Sequence, residues 1–237
     1  QLRLDTKLSN VVVIYTHSFT DAQMRLGYDG FNSVYEWLIF TIEALNNQDD
    51  LFIILKGHPS FFSKGIEASV LQWDVLIWKE ILKKYKNKVN IIIDSTISNG
   101  QLLSNLEKSK TVLISHHGNA VIEGAALGFR TISSVCSLWG SCYQFGKLWQ
   151  SRKEYLECLQ VKNWSFSSNK KEAYRFAFDK YMNPKGYHGK DYWLAKISVQ
   201  MNINIEELIA NPSTIQKKKI PNYEAMVRSI EHSIIEL

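Results

Sequence analysis

At 237 residues, with 45% hydrophobic and 22% charged side chains, the chain has the make-up of a globular protein able to bury a large core. Its formal charge of +5 is modest, and Lys and Arg are dispersed except at Lys217-Lys218-Lys219, which argues against a nucleic-acid binder. No apolar run approaches the roughly 18 residues of a membrane span and no signal peptide opens the chain, so a cytoplasmic protein, at most peripheral at an inner membrane, is expected.

Val11-Val12-Val13-Ile14-Tyr15 is a short β-branched apolar run and predicts a buried parallel strand. The polar stretch from Thr16 to Gly30 reads as a loop, and Phe31 to Leu45 carries apolar residues at helical spacing. Leu51-Phe52-Ile53-Ile54-Leu55 is a second strand, with Lys56-Gly57-His58-Pro59 at its C-terminal end. A helix over Leu71 to Tyr85, a strand at Val89 to Ile93, a short helix over Gly100 to Lys108 and a strand at Thr111 to Ile114 follow. A Gly-containing turn then leads into a helix over Ala120 to Leu127, which Gly128 terminates, and a fifth strand spans Arg130 to Val135. Such alternation predicts a doubly wound, Rossmann-like parallel sheet over residues 1–150. Beyond it, residues 151–237 read as a helical C-terminal extension, with helices at 152–159, 170–181, 192–199, 205–210 and 223–235.

Three cysteines, Cys136, Cys142 and Cys158, contain no C-x-x-C pair and read as reduced thiols. The run Lys217 to Lys219 reads as a solvated linker, with contact to anionic lipid as the alternative. Because the chain starts at Gln1, an upstream extension is expected.

In open parallel sheets ligands bind beyond the C-terminal ends of the strands. That rule selects the loops 16–30, 56–64, 94–100 and 115–119. In the fourth, His116-His117-Gly118-Asn119 feeds a helix of small residues whose first backbone N–H groups and dipole favour an anion. Glu123 lies one turn into that helix, where a carboxylate suits ribose hydroxyls; dipole compensation is its structural alternative. Adjacent histidines seldom chelate one metal together, so His116 and His117 read as ligand contacts or as structural hydrogen-bonding groups, and no metal is expected. In the second loop Pro59 holds His58 extended, and Lys56 offers a cation for phosphate. In the first, Thr16 and Ser18 offer hydroxyls and His17 an acid or a phosphate partner, while Asp21 offers a base or merely caps a turn.

His17-Ser18-Phe19-Thr20-Asp21-Ala22, Tyr35-Glu36-Trp37-Leu38, Leu55-Lys56-Gly57-His58-Pro59 and His117-Gly118-Asn119 with Glu123-Gly124-Ala125-Ala126-Leu127-Gly128 together resemble bacterial capsule and lipopolysaccharide glycosyltransferases. The nearest comparison is the Kdo-transferase-like capsule synthesis group, and the resemblance covers roughly residues 10–160. It implies half of a two-domain GT-B enzyme, in which His58 and Pro59 contact the nucleotide monophosphate, often CMP. It further implies phosphate contact by the 116–119 turn and ribose contact by Glu123. Gly57 stands where many relatives have Pro or Glu, and His116-His117 where a small or hydroxyl pair is commoner.

The expected activity is therefore metal-independent transfer of a sugar from a nucleotide donor to a glycan acceptor, without a cofactor. The acceptor domain is expected upstream of Gln1, and Asp21 and His17 are the local candidates for acid–base work. Three alternatives stay open. They are a glycerophosphotransferase, a sugar-nucleotide epimerase, and a non-catalytic module that binds a glycan or a partner protein.

Overall fold

Six short strands make one all-parallel sheet in a computed structural model that describes residues 10–20, 28–62, 72–93, 97–140 and 142–181. They are β1 (Asn10–Tyr15), β2 (Leu51–Lys56), β3 (Ile91–Ile93), β4 (Thr111–Ser115), β5 (Arg130–Ser134) and β6 (Lys147–Trp149). Their order across the sheet is β3-β2-β1-β4-β5-β6. The helices are α1 (Val34–Asn46), α2 (Gln72–Tyr85), α3 (Asn99–Leu103), α4 (Ala120–Leu127), α5 (Arg152–Leu159) and α6 (Lys170–Tyr181). This is a Rossmann-like α/β fold. Strand order reverses at β1, whose neighbours are β2 on one side and β4 on the other.

The central strands are apolar along their whole length because both faces of the sheet are covered. Alternate residues serve opposite faces. Val12 and Ile14 of β1, Ile53 and Leu55 of β2, and Val112 and Ile114 of β4 join one core with Trp37, Leu38, Ile42 and Leu45 of α1. Trp78 and Ile81 of α2, and Tyr155 and Leu159 of α5, complete that layer. On the opposite face α4 lies so close to β4 that a Cβ on Gly124 would stand 2.1 Å from Leu113 Cδ1. Burial of each large apolar side chain contributes about 1.5–3 kcal/mol, so this two-sided core fixes which strand ends meet.

Local signals set the helix boundaries. Ser33 caps α1 by accepting from the Glu36 N–H at 3.1 Å, and Ser151 caps α5 through Glu154. The two helices are joined by the Arg152–Glu36 ion pair and by the Thr41–Tyr155 hydroxyl contact at 2.6 Å. Helix α4 ends where Gly128 adopts φ +90, a left-handed conformation that side-chain-bearing residues avoid. β5 is the polar strand, yet Thr131, Ser133 and Ser134 are buried and hydrogen-bonded.

Several boundaries differ from the sequence reading by a residue or two. The third strand is confined to Ile91–Ile93, and the short helix to Asn99–Leu103. The sheet also gains β6, which extends it beyond β5 through the Ser133↔Leu148 register. The chain divides into two compact units, residues 1–173 and 174–237, and α5 belongs to the first. The helices expected at 192–199, 205–210 and 223–235, and the run Lys217–Lys219, lie outside the described residues. Cys136, Cys142 and Cys158 are free thiols. Among the described residues no helix is long and apolar enough to cross a membrane.

Candidate functional site

β1 and β4 end side by side at Tyr15 and Ser115, and β2 ends beside β1 at Lys56. The loops that leave these ends occupy the switch point, where parallel sheets open a crevice for ligands. Thr16 fastens the first loop to the second, its backbone N–H and its hydroxyl both donating to the Lys56 carbonyl at 3.0 and 3.1 Å. Ser115 fastens the fourth, donating to the Tyr15 carbonyl at 3.2 Å and accepting from the Gly118 N–H at 3.2 Å. A Cβ on Gly118 would stand 2.7 Å from Ser115 Oγ, so the turn needs glycine for this close approach.

The loop after β1 is held from below by Asp74 of α2, which is fully buried. Its carboxylate accepts from Ser18 Oγ at 2.6 Å, from the N–H groups of Phe19 and Thr20 at 2.9 and 3.0 Å, and from Thr20 Oγ1 at 3.0 Å. The Ser18 hydroxyl, which the sequence offered for ligand contact, is thereby committed to a structural bond. The same anchoring sets the position of His17.

Four histidines gather above the strand ends. The His17 ring lies 3.9 Å from that of His117 and 5.6 Å from that of His58, measured between centroids. His116 and His117 approach through their Nδ1 atoms at 2.7 Å. His116 Nε2 meets Asp29 Oδ2 at 2.9 Å, and Ser134 donates to the same oxygen. Trp37 and Trp149 pack edge-on against the His116 ring at 5.6 and 5.8 Å. Burial alone would raise the Asp29 carboxyl, but the hydrogen bond and charge of His116, with help from Ser134 and the Phe31 N–H, hold it below its ordinary range. Burial, followed by the charges of His17 and His116, pushes His117 down to about 3, so its ring is neutral at physiological pH.

A second polar group stands at the same strand ends. Asn99 at the start of α3 donates to Glu123 Oε2 at 2.5 Å and accepts from the Tyr15 hydroxyl. Lys56 donates to the Ile97 carbonyl at 2.6 Å and lies close enough to Glu123 to act on its charge. Burial raises the Glu123 carboxyl, opposed by the Asn99 bond and by Lys56. The Tyr15 phenol is likewise raised by burial and then by the Glu123 charge.

The structure thus brings Thr16, His17, Lys56, His58, His116, His117, Gly118 and Glu123 to one end of the sheet. Pro59 and Asn119 stand exposed at its margin, and the Asn119 side chain makes no capping bond to α4. Asp21 lies outside the described residues. The N–H groups of the turn are less available than the sequence suggests. Gly118 donates to Ser115, Val121 to the Gly118 carbonyl, and Ile122 and Glu123 to the Asn119 carbonyl. An anion here would therefore lean on side chains more than on the helix start.

Sequence reading missed Asp29, Asp74, Asn99 and Tyr15. Asn99 and Asp29 carried a usable signal, since both lie in loops that the strand-end rule selects. Among the described residues no group of three or more His, Cys, Asp or Glu side chains could hold a metal ion. No family model matches the chain, and neither a curated protein nor a solved structure is similar to it.

Proposed function

We propose that this chain binds the nucleotide of a nucleotide sugar and acts as the donor-binding half of a metal-independent glycosyltransferase of surface polysaccharide. The observation that carries this reading is the meeting of Lys56, His58, His17, His117 and Glu123 at the point where strand order reverses beside β1. Imidazoles and an ammonium group suit a phosphate, and a half-buried carboxylate held by Asn99 suits the paired hydroxyls of a ribose.

In this reading the phosphate leaves with its charge stabilised by Lys56, by the histidines and by the dipole of α4. His58 contacts the nucleotide and Glu123 the ribose, with CMP as the first nucleotide to try. The glycan acceptor, the domain that carries it and any peripheral membrane contact are parts of the same proposal. So is the acid–base role given to His17 and Asp21.

Calorimetry of the folded chain against CMP, UDP, GDP and CDP-glycerol tests the reading. It requires binding of at least one nucleotide, weakened by His58→Ala and Glu123→Ala. A folded sample that binds none of the four removes it. Binding of CDP-glycerol alone turns the assignment toward glycerophosphate transfer.

A further inference from the structure

Asp29, His116 and His117 form one hydrogen-bonded line, and its geometry restricts where protons can sit. An ionised carboxylate only accepts, so His116 Nε2, 2.9 Å from Asp29 Oδ2, carries a hydrogen. The two Nδ1 atoms lie 2.7 Å apart, so one of them carries a hydrogen and the other a lone pair. When His116 is neutral its Nδ1 is bare, His117 Nδ1–H donates to it, and His117 Nε2 is left as a lone pair. With one more proton in the unit, His116 is an imidazolium against Asp29 and donates from Nδ1. His117 then keeps its single hydrogen on Nε2. His117 stays neutral in both states and changes only its tautomer.

The far end of this line lacks a counterpart within the chain. His117 Nε2 is buried with no hydrogen-bond partner, in a residue only 8% exposed. Buried polar atoms are nearly always paired, so an orphan at a strand end that leads into a helix start points to a ligand. Four N–H groups around that helix start already have partners, so an anion here would turn to this ring nitrogen, which becomes a donor once it carries a hydrogen.

We propose that Asp29, His116 and His117 form a proton relay that takes up one proton as a phosphate group enters and presents His117 Nε2–H to a phosphate oxygen. The proton comes from solvent and enters at His117 Nε2. The Nδ1 hydrogen of His117 passes to His116 Nδ1, and the positive charge settles on His116 beside Asp29. The half-buried His17 ring, tilted against that of His117 at 3.9 Å between centroids, is the group the phosphate displaces on entry. Asp29 is a positioning residue in this scheme, since it acts through His116.

Other charged groups face the relay. His17 from the β1 loop opposes uptake when protonated, with His58 behind it. Cys136 and Tyr155 face Asp29, and Lys56 and Glu123 stand at the neighbouring strand end and on α4. The proposal deepens the nucleotide reading, and rests on it only for the identity of the molecule that carries the phosphate.

Nitrogen-15 NMR of the histidine rings in the full chain tests the relay without any variant. At pH 8 the ligand-free protein is expected to carry hydrogen on His116 Nε2 and His117 Nδ1. Inorganic phosphate is expected to convert His116 to imidazolium and to move the His117 hydrogen to Nε2. Calorimetry in buffers of different ionisation enthalpy then reads an uptake of about one proton per phosphate. In Asp29→Asn that uptake falls toward zero. Hydrogen on His117 Nε2 in the ligand-free protein overturns the relay, as does undiminished uptake in the variant. CMP in place of phosphate separates the two readings. Binding of CMP without proton uptake overturns the relay and leaves the nucleotide reading intact. Uptake with phosphate but no binding of CMP, UDP, GDP or CDP-glycerol supports the relay and removes the nucleotide reading. If phosphate leaves His117 unperturbed the relay falls, and the nucleotide reading falls with it only if none of the four nucleotides binds.

Discussion

His116 just beyond β4 and Asp29 in the segment before α1 are joined at 2.9 Å, a contact that ties the end of β4 to the chain leading into α1. Asp29 is almost fully buried and its carboxyl is held below the ordinary range. A carboxyl depressed in the folded state contributes stability that is present above its unfolded value of 3.8 and is lost as pH falls through the folded value. Urea denaturation is therefore expected to show wild-type stability declining below about pH 4. Asp29→Asn is expected to flatten that decline and to cost about 1–3 kcal/mol at pH 7, because the isosteric amide has one acceptor oxygen in place of two and loses the charge. An unchanged acid limb in the variant contradicts the assignment.

Glu123 has the opposite sign. Its carboxyl is raised by burial, so its contribution is fully present below the unfolded value of 4.5 and is lost as pH rises through the folded value. Glu123→Gln is expected to be no less stable than wild type at pH 7 and to remove this slope. Nucleotide affinity is expected to fall about tenfold or more in the same variant, since a bond to a charged acceptor is worth about 1.5–3 kcal/mol. Denaturation curves and calorimetry on one preparation check both expectations.

Asp74 governs the β1 loop. Asp74→Ala removes the acceptor of four hydrogen bonds from Ser18, Phe19 and Thr20 and leaves buried donors without their carboxylate. A loss of about 3 kcal/mol is expected. Hydrogen exchange at the Phe19 and Thr20 amides should accelerate in the variant far more than exchange in β4. Uniform acceleration would show that the loop is held by something else.

Gly118 can be tested by a double substitution. Gly118→Ala places a methyl 2.7 Å from Ser115 Oγ and should cost about 1–3 kcal/mol of stability by overpacking. Ser115→Ala removes the clashing atom, so the double variant should recover part of that loss. Thermal melts of the four proteins in this cycle measure the coupling. Strict additivity would mean that Ser115 is not the obstacle.

Much of this architecture was legible because the signals were local. Ala120–Leu127 and Arg152–Leu159 are helices with the bounds their apolar spacing and flanking residues suggest. Val11 to Tyr15 and Leu51 to Leu55 announced themselves as uninterrupted apolar runs. β6 did not, because Lys147-Leu148-Trp149 is too short to show a period. Val89 and Asn90 fall before β3, although Asn90 still donates to the Ile53 carbonyl and accepts from its N–H. The loops of the crevice followed from the strand-end rule. Asp74 lies outside those loops, and Asp29 lies within the first of them without its role being legible, because a carboxylate in a loop or a helical first turn has a sequence signature identical to ordinary capping. Their roles arise from partners distant in the chain, and a single sequence holds no record of such pairings.

Ser115 bonds to the Tyr15 carbonyl across 100 residues of sequence, which makes the centre of the sheet a strongly non-local contact. Long-range pairings of this kind are slow to form, since chain entropy is lost before contact energy is gained. His17 and His117 share a site only once β1 and β4 have zipped into register. Ligand competence should thus appear late in refolding, together with the protected amides of β4, and well after the first helical signal.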